Sequence, residues 1–282
     1  MRLSPKTLIA GAVAAAVLAV VPAAGATTYS TGGSTGMQIL ASALAQAYTK
    51  SPDNKDHARF TVAGGGSGAG IKGAAAGTFV IGDSSRAPVT TGKSADAKGL
   101  QFWPISVEPF VVIVNPANKV SSLTQDQING IFTGSISNWN QVGGKDCAIK
   151  GYTRIAGSGT LATFQTLYLG GAAVASSFSA QGSNGLVRSA VAGNACAVGF
   201  VTFAYTVGNT TVKPLAVAGV APSLANVKSG KFVYAGYQYF VTKADPTGVI
   251  QNYIAWARGS SAAKAIISKY ALPTNAEVVS TN

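Results

Sequence analysis

An arginine, a glycine-flanked serine and a threonine stand together in Arg154-Ile155-Ala156-Gly157-Ser158-Gly159-Thr160, and an apolar helical pattern follows. The first turn of a helix carries backbone N–H groups without intrahelical partners, and the helix dipole is positive there. A guanidinium and hydroxyls beside such a turn make an anion site, and a tetrahedral oxyanion suits it. Similar clusters recur at Gly33-Ser34-Thr35, Gly64-Gly65-Gly66-Ser67-Gly68 and Ser84-Ser85-Arg86. Each leads into or flanks a helical pattern, so the expectation is one ligand surrounded by helix ends. A structural reading stands beside this one. Thr35 and Ser67 could serve only as helix caps, and Arg154 could be a surface cation, as most arginines are.

Strands must deliver these turns and helices must follow them. Met37, Leu40, Leu44 and Tyr48 give residues 36–48 a helical apolar face. Arg59 to Val62 reads as a strand running into the glycine loop, and residues 69–77 as a helix after it. Phe79 to Gly82 and Val107 to Val114 read as strands, the second dense in β-branched residues like a buried one. Thr124 and Gln127 have capping-box spacing before Ile128, Ile131 and Phe132. Gly134 to Gly144 is a connector holding Trp139. Ile149 to Thr153 is a strand leading into the arginine motif, whose helix turns Leu161, Phe164, Leu167 and Tyr168 inward. Ser183-Asn184-Gly185 opens another helix. Ala197 to Phe203 and Phe232 to Val241 are strands, and Pro246 sits where a last helix would begin. This alternation predicts an α/β protein with largely parallel sheets. Ligands of such folds sit beyond the carboxyl ends of strands, where the glycine turns fall.

Composition narrows the setting. The 282 residues, 47% hydrophobic and 11% charged, suffice for one large or two modest domains. Arg2 and Lys6, the apolar run Leu8 to Val21, Pro22 and the small residues Ala24-Gly25-Ala26 read as a secretory signal peptide, with the mature chain starting near Thr27. No cysteine lies near that cleavage site, so no lipid anchor is expected. Cys147 and Cys196 are the only cysteines, and in an exported chain they most simply form one disulfide. The sole histidine, His57, lies in a polar loop, so no metal site is expected. Net charge is +12, of which Arg2 and Lys6 carry +2, leaving the mature chain at +10. The basic residues are scattered without runs or aromatic interleaving, which argues against nucleic-acid binding and for a diffuse basic surface.

Taken in order, these segments resemble the periplasmic phosphate-binding proteins of bacterial ABC importers. The resemblance rests on Gly33 to Gly36, Gly64 to Gly70, Ile81 to Arg86 and Arg154 to Thr160. Support comes from Ile128 to Trp139, Ser183 to Gly185 and Ala197 to Phe200, and the resemblance covers essentially the whole mature chain. It implies a two-lobed periplasmic binding protein fold of type II, with a ligand cleft between lobes and two hinge crossings, near Val114 and near Ala235. Residues 1–26 would be the signal peptide, 27–114 with 236–282 one discontinuous lobe, and 115–235 the other. Closure of the lobes would be a hinge motion. The implied phosphate ligands are Gly33, Ser34, Thr35, Gly66, Ser67, Asp83, Ser84, Ser85, Arg86, Arg154, Ser158, Gly159 and Thr160. Arg154 would offer two phosphate oxygens its charged fork.

One departure bears on specificity. Relatives place an aspartate, acceptor for the proton of bound phosphate, where this chain has Ser85. Asp83 stands two residues earlier, and an aspartate seen in some relatives within the arginine motif is Ala156 here. An acceptor of that kind disfavours fully ionised sulfate. The leading expectation is an exported monomer, periplasmic or secreted, that needs no cofactor, captures phosphate and delivers it to an inner-membrane ABC permease. A secreted phosphate-binding or surface-attachment protein on the same scaffold is the alternative. An enzyme is not expected, since the chain has no Gly-x-Ser-x-Gly elbow and no metal-ligand cluster.

Overall fold

The computed structural model describes residues 26–89, 97–243, 245–277 and 279–281. Residues 1–25 lie outside that range, and with them the expected signal peptide up to Gly25. Among the described residues, no helix is long and apolar enough to cross a membrane.

The chain alternates strand and helix from its start. β1 (Thr28–Gly33) leads into α1 (Gln38–Thr49), β2 (Arg59–Ala63) into α2 (Ser67–Ala76), and β3 (Ile81–Ser84) follows. After β4 (Leu100–Val114) come β5 (Ser122–Leu123) and α3 (Gln125–Thr133). α3 starts on the capping box, with the Thr124 hydroxyl accepting the Gln127 N–H and Gln127 Oε1 accepting the Thr124 N–H. β6 (Lys150–Arg154) runs into α4 (Gly159–Leu169), β7 (Ser179–Gln181) into α5 (Asn184–Ala192), and β8 (Ala197–Thr202) closes this run. The short β9 (Lys213–Pro214), β10 (Ala216–Val217) and α6 (Leu224–Lys228) precede β11 (Ala235–Lys243). α7 (Gly248–Gly259), α8 (Ser261–Ile267), β12 (Leu272–Pro273) and β13 (Val279–Thr281) end the chain.

Eleven of these strands form one sheet with the path β2-β1-β3-β11-β4-β8-β6-β7, while β9, β12 and β13 pair β4 beside it. Pairing is parallel at both ends of the path, as expected. In the middle it is antiparallel, because β4 and β11 run against their neighbours. β4 changes partner within its length: Leu100 to Pro109 pair with β11, and Phe110 to Val114 with β8. It is longer than Val107 to Val114 because the sheet accommodates Pro104. Proline lacks a ladder N–H, and the register with β11 shifts between Gln238 and Tyr239, opposite it. Other bounds move as well: β11 begins at Ala235, three residues after Phe232, and runs on to Lys243. β3 begins at Ile81, where its pairing with β1 starts, and α7 begins at Gly248 with Thr247 as its cap, past Pro246.

Both faces of both sheet halves are covered. Around β1–β3 and β11, α1, α7 and α8 bury Leu40, Leu44, Tyr48, Tyr253, Trp256 and Ile267 on one face. On the other face α2 packs Ile71 and Ala74 against Phe102, Tyr239 and Val241. In the second half, Phe110, Val112 and Val114 join Phe132, Phe164 and Phe200 under α3 and α4. Val111 and Ile113 meet Val187 and Val191 of α5 on the opposite side. The strict alternation along β4 is the period-two signature of a strand buried on both faces. Cys147 and Cys196 form the expected disulfide, with Cα atoms 6.1 Å apart and a sequence separation of 49. It ties the connector before β6 to the start of β8.

Candidate oxyanion site

Four helix starts meet at the carboxyl ends of β1, β2, β6 and β7. Two carry serine caps: the Ser158 hydroxyl accepts the Leu161 N–H at 3.2 Å, and the Ser183 hydroxyl accepts the Leu186 N–H at 3.0 Å. At α2 the cap is Gly66, held at φ +92, a conformation L side chains rarely adopt. With no cap hydroxyl needed from it, Ser67 is free to accept the Ser85 N–H at 3.0 Å. At α1 the Gly36 N–H folds back onto the Ser34 hydroxyl at 3.2 Å.

These starts are in contact with one another. The Gly68 N–H donates to Gly157 O at 3.0 Å, joining α2 to the loop before α4. Asn184 Nδ2 donates to the Thr35 hydroxyl at 3.2 Å and to the Thr160 hydroxyl at 3.1 Å, joining α5 to α1 and α4. The Ser85 hydroxyl bonds to the Ser34 hydroxyl and to Gln238 Oε1. Ser34, Thr35, Ser67, Ser85, Ser158, Gly159 and Thr160 are all buried. A Cβ on Gly36 would lie 2.7 Å from Thr160 Oγ1 and 2.9 Å from Ser85 Oγ, so the turn after β1 sits directly against the other segments.

Arg154 is the buried cation of this region, at 2% exposure. Its Nε donates to Gln181 O at 3.1 Å and its Nη2 to Gly182 O at 3.0 Å, while Nη1 has no partner in the protein. The surface-cation reading is therefore wrong for it. The fork, expected to face a ligand whole, also braces the loop before α5. Burial lowers its pKa to about 10, which leaves it charged at neutral pH.

The side chains of three expected residues have partners or surroundings away from the cluster. The Ser84 hydroxyl donates to Arg86 O at 2.9 Å, closing a local turn. Arg86 is half-buried, donates from Nη1 to Ala87 O at 3.1 Å, and lines a separate 320 Å³ groove with Thr163 and Tyr237. Asp83 pairs with Phe240 across β11 and shares strand parity with Ile81. Both of those belong to the core beneath α1 and α7, so the Asp83 carboxyl faces that core. Its backbone still serves the site, since Asp83 O accepts the Ser34 N–H at 2.9 Å. Gly33 contributes backbone in the same way, accepting the Gly66 N–H at 2.7 Å.

The Asp83 carboxyl is fully buried with neither oxygen partnered, and burial pushes its pKa from 3.8 up to about 8. The folded chain then holds a proton that the unfolded chain releases between about pH 4 and about pH 8, so stability falls as pH rises through that window. Asp83→Asn removes this titration. It should raise the melting temperature by several degrees near pH 8 and change it little near pH 4, as thermal melts across pH would show.

Sequence reasoning missed several residues that complete the cluster. The Thr202 N–H donates to Asn184 Oδ1 at 3.1 Å, and its hydroxyl donates to Gly36 O at 2.8 Å. The Tyr205 hydroxyl donates to Thr35 O at 2.6 Å. Gln238 and Glu108 lie on the floor, in β11 and β4, and both are fully buried. The signal of Glu108 and Gln238 was present in the sequence: each is a polar side chain flanked by apolar and aromatic residues within a strand.

The chain is similar to known proteins. A family model described as PBP superfamily domain matches residues 21–261. Phosphate-binding protein PstS of Bacillus subtilis (strain 168) is 33% identical over 236 residues, which is 84% of this chain and 77% of that protein. A phosphate ABC transporter substrate-binding protein from Clostridium perfringens, solved with bound phosphate, has a TM-score of 0.81 at 28% identity, over 88% of this chain and 100% of that one. An ABC-type phosphate transport receptor from Vibrio cholerae has a TM-score of 0.66 at 28% identity, over 86% and 98% of the two chains.

Proposed function

The chain belongs to the phosphate-binding proteins of the PBP superfamily, and from that premise we propose that it captures inorganic phosphate and delivers it to an ABC permease of the inner membrane. The observation that carries this reading is Arg154 Nη1, a buried cationic donor without a protein partner beside converging helix starts. A buried charge without a counter-charge is costly, and a bound anion supplies the missing partner. The surrounding groups are the N–H groups and hydroxyls an oxyanion requires: Ser34, Thr35, Ser67, Ser85, Ser158, Gly159 and Thr160 in this proposal.

Two lobes, 27–114 with 236–282 and 115–235, would close on the ligand. The partner change along β4 supports such a division, with the first crossing at Pro109 and Phe110, just before Val114. Contacts from Gly68 to Gly157 and from Asn184 to Thr35 would then be made between lobes and would form on closure. The leader residues Arg2 to Ala26 support export, and the mature chain would act as a periplasmic or secreted monomer. Binding rather than catalysis is the reading that the relatives support, since they are named as phosphate-binding proteins.

Calorimetry on protein stripped of phosphate by unfolding and refolding should give a phosphate Kd between about 1 nM and about 1 μM. Absence of heat with phosphate, arsenate and sulfate alike would refute the proposal.

A further inference from the structure

The groups assembled around Arg154 are donors or hydroxyls. Donors alone cannot tell a hydrogen phosphate ion from a sulfate ion, which has the same shape and charge. Discrimination needs an acceptor that a proton on the ligand satisfies and a bare oxyanion leaves unpaired. Among the described residues the buried acids are Asp83 and Glu108, and the Asp83 carboxyl faces the core with Phe240 and Ile81.

Glu108 lies on the site's side of the sheet. In the regular part of the β4–β11 ladder, Glu108 pairs with Gly236 and Ser106 with Gln238, so all four share one face. That face looks toward the cluster. Gln238 Oε1 accepts the Ser85 hydroxyl, and a Cβ on Gly236 would lie 3.1 Å from Thr163, whose own hydroxyl donates to Ser85 O at 2.7 Å. Glu108 Oε1 accepts the Ala204 N–H at 2.7 Å. Ala204 stands between Thr202 and Tyr205, the two residues that clasp the Thr35–Gly36 turn. Glu108 Oε2 has no partner, and neither do Ser106 Oγ and Gln238 Nε2 beside it. A patch of unpartnered polar atoms thus underlies the proposed phosphate site, with one acid in it.

We propose that Glu108 Oε2 hydrogen-bonds the proton-bearing oxygen of the bound oxyanion and so sets preference for hydrogen phosphate over sulfate. This rests on the phosphate-binding reading above. One proton lies between the carboxyl and a ligand oxygen. Hydrogen phosphate brings that proton itself. Sulfate brings none, so it fits only when Glu108 is the neutral acid and donates. Burial holds that acid up to about 8, partly countered by the Ala204 N–H. The other titratable group facing it is Tyr205, pushed up to about 12 by burial and then by Glu108, with Arg154 and Arg188 acting on Tyr205 in the opposite sense.

The test is a competition titration of phosphate against sulfate on the full chain between about pH 6 and about pH 9, for wild type, Glu108→Gln and Asp83→Asn. In wild type the preference for phosphate should widen above about pH 8, since sulfate then needs a proton taken up with it. An amide in place of the carboxyl can donate as well as accept, so Glu108→Gln should narrow the preference about tenfold or more and flatten its pH dependence. Asp83→Asn should keep the wild-type preference at every pH. An unchanged preference in Glu108→Gln, or a lost one in Asp83→Asn, overturns the assignment. If Glu108→Gln does not melt cooperatively, the wild-type profile decides, and a preference flat with pH overturns it. Wild type binding neither anion refutes the phosphate-binding reading itself and this inference with it, whereas tight phosphate binding with an indifferent Glu108 refutes this inference alone.

Discussion

Arg154→Lys is expected to weaken phosphate binding by about 100-fold, the range of one lost hydrogen bond to a charged group. The guanidinium does two things at once. Nε and Nη2 hold the carbonyls of Gln181 and Gly182, and Nη1 remains for the ligand. A lysine ammonium is a single point on a flexible stem and cannot bridge both carbonyls while reaching the anion. The loss should therefore appear in two places: phosphate affinity by calorimetry, and a lower melting temperature of the ligand-free protein from the slackened loop before α5. A change in affinity of less than about threefold would remove the guanidinium from the site.

Gly159→Ala is expected to weaken phosphate binding by about 50-fold for a different reason, overpacking. A Cβ there would overlap Ser67 Oγ and approach Ser67 Cβ to 2.7 Å. Ser67 is held in place by the Ser85 N–H, and Gly159 by the first turn of α4, so neither can retreat alone. If these segments belong to opposing lobes, the methyl wedges them apart. It should then leave the melting temperature of the open, ligand-free protein unchanged and reduce the increase that phosphate confers. A matching fall in ligand-free stability would instead show that the contact is permanent.

Much of this was legible because its causes are local. Thr124, Ser158 and Ser183 announce helix starts by cap chemistry within four residues, and the glycine turns mark places where backbones meet. Which turns meet, and through what, was not legible. The contacts that lock the cluster span 149 residues from Thr35 to Asn184, 153 from Ser85 to Gln238 and 166 from Gly36 to Thr202. No window along the chain contains both partners. Asp83 shows a different limit. It lies next to the right turn, but strand parity puts its side chain with Ile81, and Ser85 escapes that parity only because β3 ends at Ser84. The length of β4 was hidden by Pro104, whose place in a ladder depends on a shift in its partner.

β4 also sets an order of events during synthesis. Its apolar stretch Pro109-Phe110-Val111-Val112-Ile113-Val114 leaves the ribosome before either of its main neighbours exists, since β8 begins at Ala197 and β11 at Ala235. Until then it is an unpaired edge of high β-propensity, the kind of segment that joins copies of itself. The molecule's central ladders thus join residues more than 80 positions apart, which puts it among slow-folding topologies. Protection of this one hexapeptide while the remaining chain is made is a requirement the finished structure no longer displays.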